Sequence, residues 1–277
     1  MPYPVSVQIC TLNEESNIQA CLAAAAANDP EEIVVIDGGS TDATASIAES
    51  FGARVLSPGK LGLGRSRQLG YESTSSRYSA FVDADDRISP NWIATMLSEM
   101  EAGGYAALQS CLRAMETGSW WSRGWNQYFI ESVQPTADTT MVGRPAMFLT
   151  AVLQSDDSEL ASLDEDTHMS RRFELQGYRQ GIGTALAFRY VEESRKANFL
   201  KWQSYGRGYR GFVDEHPERR AALLKHMAFT IPISRAWRPV LRGHVDQPAF
   251  ALLMSANIAR GWFRASGSQE TPKASGN

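Results

Sequence analysis

The 277-residue chain is 43% hydrophobic, enough to bury one substantial core, and its formal net charge is −4. Residues 1–194 carry 13 basic and 26 acidic side chains, whereas residues 195–244 carry 11 and 3, a net of +8. Three cysteines lack metal-ligand spacing, no segment resembles a signal peptide, and no apolar run approaches the roughly 20 residues of a transmembrane helix. We therefore expect a cytoplasmic protein, free or at the inner face of the cell membrane. We expect no nucleic-acid partner.

Short apolar runs alternate with helical patterns through the first hundred residues. Strands are predicted at 5–10, 33–36 and 53–56 and in a run that ends at residue 83. Helical patterns at 18–27, before Phe51 and after Gly62 separate them. Strands and helices that alternate at this pace imply right-handed crossovers and a largely parallel sheet.

Polar loops follow these strands, and the carboxyl ends of parallel strands meet at one edge of a sheet. The four loops at that edge are Thr11–Glu14, Asp37–Asp42, Gly62–Arg67 and Asp83–Asp86. Together they offer acids for a ribose and a base, glycines for close backbone approach, arginines for phosphate and acids for a metal. The sequence therefore predicts a ligand site at this edge.

Three carboxylates fall within four residues at the end of the fourth strand. We interpret Asp83, Asp85 and Asp86 as carboxylates that neither burial nor a Lys or Arg partner explains, and clustered carboxylates of this kind are typical ligands of a hard divalent cation. The alternative is a solvated acidic turn that caps the next helix, with Ser89 and Pro90 as its first residues. This stretch alone leaves both interpretations open.

Two patterns that other nucleotide-binding proteins use are absent from the sequence. No Gly-x-Gly-x-x-Gly follows the first strand, which argues against a dinucleotide-binding Rossmann domain. No glycine-rich loop follows it either, which argues against a sugar-phosphate nucleotidyltransferase. That activity remains an alternative, as does a catalytically silent protein that binds nucleotide sugars.

Three segments in order carry a family resemblance: Cys10–Glu14 (CTLNE), Val35–Asp42 (VIDGGSTD) and Phe81–Asp86 (FVDADD). Together they resemble family 2 of the inverting glycosyltransferases, which have the GT-A fold. Lys201–Phe212, with its Tyr-Gly-Arg-Gly sequence, resembles a segment of the bacterial exopolysaccharide-type members of that family. The family also has a Glu-Asp pair that opens a helix ending near an Arg and a Gly. Here Glu165-Asp166, Arg172 and Gly177 match that pattern. Two positions depart from it, His168 replacing an acid and Gln68 an Asn.

The resemblance implies an α/β GT-A fold, with a mostly parallel central sheet flanked by helices and a C-terminal helical extension. It implies a metal-dependent, inverting transfer of a sugar from a UDP- or GDP-sugar to a hydroxyl acceptor, lipid-linked or polysaccharide. The cofactor would be Mg²⁺ or Mn²⁺. Asp85 would bind the metal directly, and Asp83 would reach the metal or the ribose.

The resemblance also assigns the remaining site residues. Nucleotide-sugar contacts would come from Thr11, Asn13, Glu14, Asp37, Gly39, Arg67, Asp83, Ala84 and Asp85, with Arg67 on phosphate. Asp166 would be the general base that takes the proton of the acceptor hydroxyl, with Glu165 as an orienting residue. Asp166 could instead be a plain helix cap, in which case Asp164 is the alternative base.

An aromatic segment lies between the metal loop and Glu165. Trp120, Trp121, Trp125, Tyr128 and Phe129 fall within ten positions. Aromatic side chains at such spacing favour a core, although they also suit the face of a sugar or a lipid-phosphate acceptor. Weaker acceptor or phosphate contacts are predicted at Trp120, Trp121, Arg172 and Arg207.

These patterns predict three regions. Residues 1–194 would form the glycosyltransferase domain, with a nucleotide-sugar half at 1–110 and an acceptor half at 111–194 that includes a mobile loop before Glu165. Residues 195–264 would form a basic, amphipathic helical extension, and residues 265–277 a disordered tail. The extension would contact a membrane surface or dock on the acidic domain. The arginines of Lys201–Phe212 could close over diphosphate or lie on a solvated helix face.

Overall fold

A computed structural model describes residues 1–155, 160, 165–225 and 247–265 of the chain. The chain forms two compact units. The first consists of residues 1–117 and 129–191, and the second draws on residues 118–128 and those from 192 onward. The predicted mobile loop before Glu165, the disordered tail and the basic positions between 226 and 246 fall wholly or largely outside the described residues.

The first unit is built on one eight-stranded sheet with the order β3-β2-β1-β4-β7-β6-β8-β5. The strands are β1 Tyr3–Thr11, β2 Pro30–Asp37, β3 Arg54–Leu56, β4 Tyr78–Phe81, β5 Asp86–Ile88, β6 Ala107–Ala114, β7 Ala146–Leu149 and β8 Gln180–Arg189. Strands β1 to β4 pair in parallel, as do β6 and β8, whereas β7 and β5 run antiparallel to their neighbours. The predicted largely parallel sheet is confirmed.

Helices follow the strands along the chain. They are α1 Ile18–Ala26, α2 Thr44–Ser50, α3 Leu63–Glu72, α4 Trp92–Gly103, α5 Trp120–Ser132, α6 Thr150–Leu153, α7 Glu165–Leu175, α8 Arg195–Glu215, α9 Arg220–Lys225 and α10 Gln247–Ala265. A 3₁₀ turn lies at Pro217–Arg219. None of the helices in the described part of the chain is long and apolar enough to cross a membrane.

The centre of the sheet brings the predicted loops together. The side chains from Val5 to Ile9 on β1 are all buried, and so are those from Val34 to Asp37 on β2. Strands buried on both sides need cover on both faces, which the crossover helices of an α/β fold provide. Thr11 and Asp37, the last residues of β1 and β2, are register partners. The loops that follow them therefore leave the sheet at the same edge.

The acidic segment does not form a solvated helix cap. Asp86 is fully buried and begins strand β5, so it cannot belong to a solvated turn. Helix α4 begins only at Trp92, after Asn91 in the left-handed region (φ 62°), and no side chain caps it. The alternative in which Ser89 and Pro90 start this helix is therefore wrong.

The second unit contains an unusually close helix pair. A Cβ atom added to Gly206 of α8 would lie 2.0 Å from the carbonyl oxygen of Ile258 on α10. One added to Gly261 would lie 2.0 Å from the carbonyl oxygen of Gln203. Real Cβ contacts are not this short, so glycine is what allows the two backbones to approach each other at both crossing points.

The aromatic segment supplies core to this second unit. Trp125, Trp202 and Phe250 are buried, and the rings of Trp120 and Trp121 pack edge-on against Phe250. The indole N–H of Trp125 donates to the Asn198 side chain at 2.7 Å, which satisfies its one polar atom. Burial therefore favours the core interpretation for Trp125, while the acceptor contact of Trp120 and Trp121 stays a prediction.

Candidate functional site

The first two loops of the site are joined by hydrogen bonds. The backbone N–H of Gly38 donates to the Thr11 carbonyl at 2.9 Å, and that of Asn13 donates to the Ser40 hydroxyl at 2.8 Å. Thr41 N–H returns a bond to the Asn13 side-chain oxygen at 2.8 Å. Asn13 adopts a positive φ of 55°, a conformation that Asn tolerates better than most residues. These bonds form a clasp between the loops Thr11–Glu14 and Asp37–Asp42.

The predicted base and ribose contacts lie along this clasp. Asp37 is buried and accepts hydrogen bonds from the backbone N–H and hydroxyl of Ser40. Glu14 accepts from the Asn17 side chain at 2.9 Å. The hydroxyl of Thr11 is buried and has no partner among the described residues. Gly39 has a φ of 93°, which favours glycine at that position.

The two predicted metal ligands, Asp83 and Asp85, and the lesser candidate Asp86 come together after the end of β4. Asp83, Asp85 and Asp86 offer carboxylate oxygens that all lie within 4.8 Å of one another. The side chains of Asp83 and Asp85 are 25% exposed, whereas that of Asp86 is 0% exposed. Asp83 and Asp85 are therefore open to a ligand, and Asp86 is not.

Arg189, at the end of β8, lies among these three aspartates. It is the register partner of Asp86 and donates to both of its oxygens, at 2.7 and 2.6 Å. It also donates to Asp83 at 2.7 Å and lies 3.6 Å from an Asp85 oxygen. The sequence interpretation treated the aspartates as having no basic partner, and this is wrong. Arg189 is 103 positions from Asp86, so no local pattern could reveal it.

A buried chain of charges continues from Asp83 to helix α7. Arg67 donates to Asp83 at 2.7 Å and to Glu165 Oε1 at 3.0 Å, and Arg144 donates to the same Glu165 oxygen at 2.9 Å. The side chains of Arg67, Glu165 and Arg144 are 3%, 8% and 4% exposed. Both guanidinium groups lie over the ring of Phe81, 5.8 and 5.4 Å from its centroid. Arg144 was not among the predicted site residues.

These contacts determine which atoms of Arg67 remain available to a ligand. Its Nε and Nη2 are bound to carboxylates, and its Nη1 is buried without a partner among the described residues. The predicted contact with phosphate would therefore be made by a guanidinium group that already binds two carboxylates, those of Asp83 and Glu165. In the structure Arg67 connects the loop after β4 to the start of α7.

Helix α7 begins at Glu165 and Asp166, as predicted, and ends at Leu175, just before Gly177 with a φ of 76°. An oxygen of Asp166 accepts from the backbone N–H of Thr167 at 2.9 Å. The helix thus places Asp166 directly beside Glu165, at the end of the buried charge chain. Asp164, the alternative base, lies outside the described residues.

The environment changes the acidity of these carboxyl groups. Burial alone would raise the pKa of Asp83, but Arg67 and Arg189 lower it well below its usual range. Burial raises the pKa of Asp86 to about 7, although Arg189 opposes the shift. Burial also raises the pKa of Asp166, against the lowering effect of Arg144. Asp83 therefore stays ionised, while Asp166 becomes a stronger proton acceptor once ionised.

The remaining predicted residues divide between the two units. Ala84 is buried within the acidic segment of the first unit, and Arg172 lies on α7. Trp120, Trp121 and Arg207 belong to the second unit, where Arg207 is exposed. The structure thus gathers the predicted donor, metal and base residues in one unit, together with only one of the four weaker acceptor contacts, Arg172.

Comparison with known proteins identifies the family and the fold of the chain. Residues 6–155 match the sequence model described as Glycosyl transferase family 2. The chain is 33% identical over 119 residues to the putative glycosyltransferase EpsH of Bacillus subtilis, a match that covers 40% of this chain and 34% of that protein. The match spans only about a third of the length of that relative.

Solved structures resemble the chain over nearly its whole length. The mannosyltransferase PcManGT of Pyrobaculum calidifontis, in complex with GDP-Man and Mn²⁺, has a TM-score of 0.63 at 17% identity and covers 96% of this chain and 80% of its own. S. aureus TarS 1-349, in complex with UDP-GlcNAc, has a TM-score of 0.59 at 15% identity, with coverages of 97% and 91%. At these identities the likeness shows the fold alone, and it confirms the predicted GT-A fold. With the family match over more than half of its length, the chain belongs to glycosyl transferase family 2.

Proposed function

We propose that this protein transfers a sugar from a nucleoside-diphosphate sugar to a hydroxyl acceptor, with inversion at the anomeric carbon. One observation carries the proposal. A pair of partly exposed aspartates, Asp83 and Asp85, and a Glu165-Asp166 pair lie in one unit, and Arg67 bridges Asp83 to Glu165. Direct hydrogen bonds thus link Asp83, a proposed metal ligand, through Arg67 to Glu165, the neighbour in sequence of the proposed proton acceptor Asp166.

The donor would bind along the clasp between the first two loops. Thr11, Glu14 and Asp37 offer a hydroxyl and two carboxylates for base and ribose, and Gly39 leaves space for close approach. UDP-GlcNAc and GDP-Man, bound by TarS and PcManGT, indicate the donor classes to test first. Ala84 and Asn13 would complete the contacts through the backbone.

The residues at the acidic segment fit a divalent cation, Mg²⁺ or Mn²⁺. Asp85 and Asp83 present partly exposed carboxylate oxygens, the ligands that such hard cations prefer. Asp86 does not fit, because it is buried and Arg189 binds both of its oxygens. When bound, the ion would neutralise the charge that develops on the leaving diphosphate.

Asp166 is the proposed general base. It would accept the proton of the acceptor hydroxyl while that oxygen attacks the anomeric carbon from the face opposite the diphosphate. Its raised pKa makes it a better proton acceptor, provided that it is ionised. Glu165 has one oxygen held by two arginines, so we assign it a positioning role rather than contact with substrate.

The C-terminal helices are proposed to contact an anionic membrane surface, where a lipid-linked acceptor would lie. Residues 195–244 carry the net charge of +8, and α10 exposes Leu252 and Phe263, which are 55% and 72% exposed. Basic residues near an anionic surface contribute about 1 kcal/mol each. The alternative, docking of this basic surface on the acidic domain, predicts no lipid affinity. The proposed domain limits remain 1–194 and 195–264.

The test is a panel of nucleotide sugars with Mn²⁺ or Mg²⁺, with thermal stabilisation and nucleotide release as readouts. We expect a UDP- or GDP-sugar to raise the Tm in the presence of metal and to release UDP or GDP when an acceptor is supplied. Binding without release would indicate a silent binding protein. Pyrophosphate release from a nucleoside triphosphate and a sugar phosphate would indicate a nucleotidyltransferase. Either result would overturn the proposal.

A further inference from the structure

Arg189 occupies a position that neither the family match nor the proposed reaction requires. Its guanidinium lies within 3.6 Å of an oxygen of each of Asp83, Asp85 and Asp86. These are the same three residues whose carboxylate oxygens cluster closely enough to hold a metal ion. An internal cation therefore already lies where the proposed function needs an external one.

The geometry shows which of these contacts are firm. Asp86 receives two short hydrogen bonds from Arg189, at 2.7 and 2.6 Å, and is fully buried. The two residues are also register partners at the ends of β5 and β8. Arg189 is thus anchored through Asp86, while its contacts with the partly exposed Asp83 and Asp85 face the ligand side. A ligand could replace those contacts without moving the anchor.

The charges of these side chains affect the affinity of the cluster for a divalent cation. The three aspartates together carry up to three negative charges, and Arg189 cancels one of them at hydrogen-bond distance. Arg67 cancels part of another through Asp83 at 2.7 Å, although it shares its charge with Glu165. A divalent cation at Asp83 and Asp85 would thus meet a weaker negative field and a nearby positive group.

We propose that Arg189 is a resident counter-ion of the aspartate cluster, which holds the three carboxylates together without metal and lowers their affinity for a divalent cation. The inference rests on the proposed function only in taking Asp83 and Asp85 as metal ligands. Arg189 is in this sense a positioning residue, since it acts through the aspartates. A purely structural ion pair between β5 and β8 would affect stability and leave metal affinity unchanged.

The test measures Mn²⁺ binding to the whole protein without nucleotide, by electron paramagnetic resonance of free Mn²⁺. We expect Arg189→Gln to bind Mn²⁺ about tenfold more tightly than the wild type, which corresponds to about 1.4 kcal/mol. Arg189→Lys keeps the positive charge and should stay within about threefold of the wild type. Arg77→Gln is the matched control, because Arg77 lies in the same unit in an exposed pair with Glu101.

Two results would overturn the inference. One is a folded Arg189→Gln protein whose affinity for Mn²⁺ is unchanged or weaker than that of the wild type. This result would overturn the inference whether or not nucleotide sugars bind to the protein. The other result concerns an Arg189→Gln protein whose circular dichroism spectrum shows that it is unfolded without metal. Mn²⁺ is then expected to restore its helical signal, because the ion replaces the missing cation, and failure to do so would contradict the role. The proposed function is judged separately, by donor-dependent stabilisation and nucleotide release in the wild type.

Discussion

Nε of Arg67 lies 3.0 Å from Oε1 of Glu165, although the two residues are 98 positions apart in the chain. Arg67 also holds Asp83 at 2.7 Å, so one side chain connects the proposed metal loop with the start of the proposed catalytic helix. The bond to Glu165 is buried and the bond to Asp83 is partly buried, and neither end can shift without breaking a charged contact. The two halves of the proposed reaction are therefore held at a fixed separation.

Replacement of Arg67 by Met should destabilise the protein by up to about 3–5 kcal/mol, because it removes one of the two basic partners of the buried Glu165 carboxylate. Asp83 is partly exposed and keeps its bond from Arg189. Urea denaturation measures the loss. Arg54→Met is the control, since Arg54 pairs with Glu32 at 2.8 Å but is 40% exposed. The control should cost at most about 1 kcal/mol. Equal losses of unfolding free energy in the two variants would show that the ion pairs of Arg67 contribute no more to stability than an exposed ion pair.

Asp85→Asn should abolish metal-dependent donor binding with little change in Tm. The substitution keeps the size of the side chain and removes its charge, at a position that is 25% exposed and outside the core. Calorimetry with a nucleotide sugar and Mn²⁺ measures the affinity. Asp138→Asn, at a side chain 73% exposed in an unrelated pair, should behave as the wild type. Unchanged affinity in Asp85→Asn would refute the metal assignment.

Asp166→Asn should retain donor affinity and lose transfer by about a hundredfold or more, the usual contribution of a positioned base. The reason is that the base acts on the acceptor hydroxyl and makes no contact with the nucleotide. Donor affinity by calorimetry and turnover with acceptor are both needed. Transfer within a few-fold of the wild type would move the role to another acid, with Asp164 the first to test.

The pH dependence of kcat should follow Asp166. Its pKa is raised by burial, and a base must be ionised to act, so kcat should fall on the acid side through a pKa above the ordinary Asp value. Glu165→Gln removes a negative neighbour that raises this pKa, so the acid limb should move to lower pH. A profile that does not move in this variant would argue against their coupling.

Lipid binding should depend on the exposed apolar side of α10. Vesicles with anionic lipid should bind the protein, and the binding should weaken with salt. Phe263→Glu and Leu252→Glu place a charge where the proposed contact is apolar and should reduce co-sedimentation severalfold. Phe51→Glu, at a side chain 40% exposed in the first unit, is the control. Indifference to lipid charge would favour docking on the protein itself.

Local patterns were sufficient to predict the framework of the fold and the positions of the acids. The apolar runs before Thr11, Asp37 and Asp83 predicted strands whose ends meet, because strand pairing follows from alternation with helices. The helix that begins at Glu165-Asp166, which the family resemblance implied, is also confirmed. These features depend on neighbours in the sequence.

The partners of those acids depend on tertiary contacts and could not be predicted in the same way. Arg189 is brought to Asp86 only by the register of β8 with β5, and Arg144 meets Glu165 only through the fold. The sequence around a single arginine at the end of a strand does not indicate which acidic side chain will be its partner in the fold. The close glycine contacts of α8 and α10 likewise emerge only when two distant helices cross.

The clasp between the first two loops has a consequence for how a donor would arrive. Asn13, Ser40 and Thr41 close it with protein hydrogen bonds alone, so this rim has its shape before any nucleotide binds. A preformed rim spares the complex the conformational entropy that ordering two loops would cost. Association should therefore be fast and accompanied by little loop rearrangement.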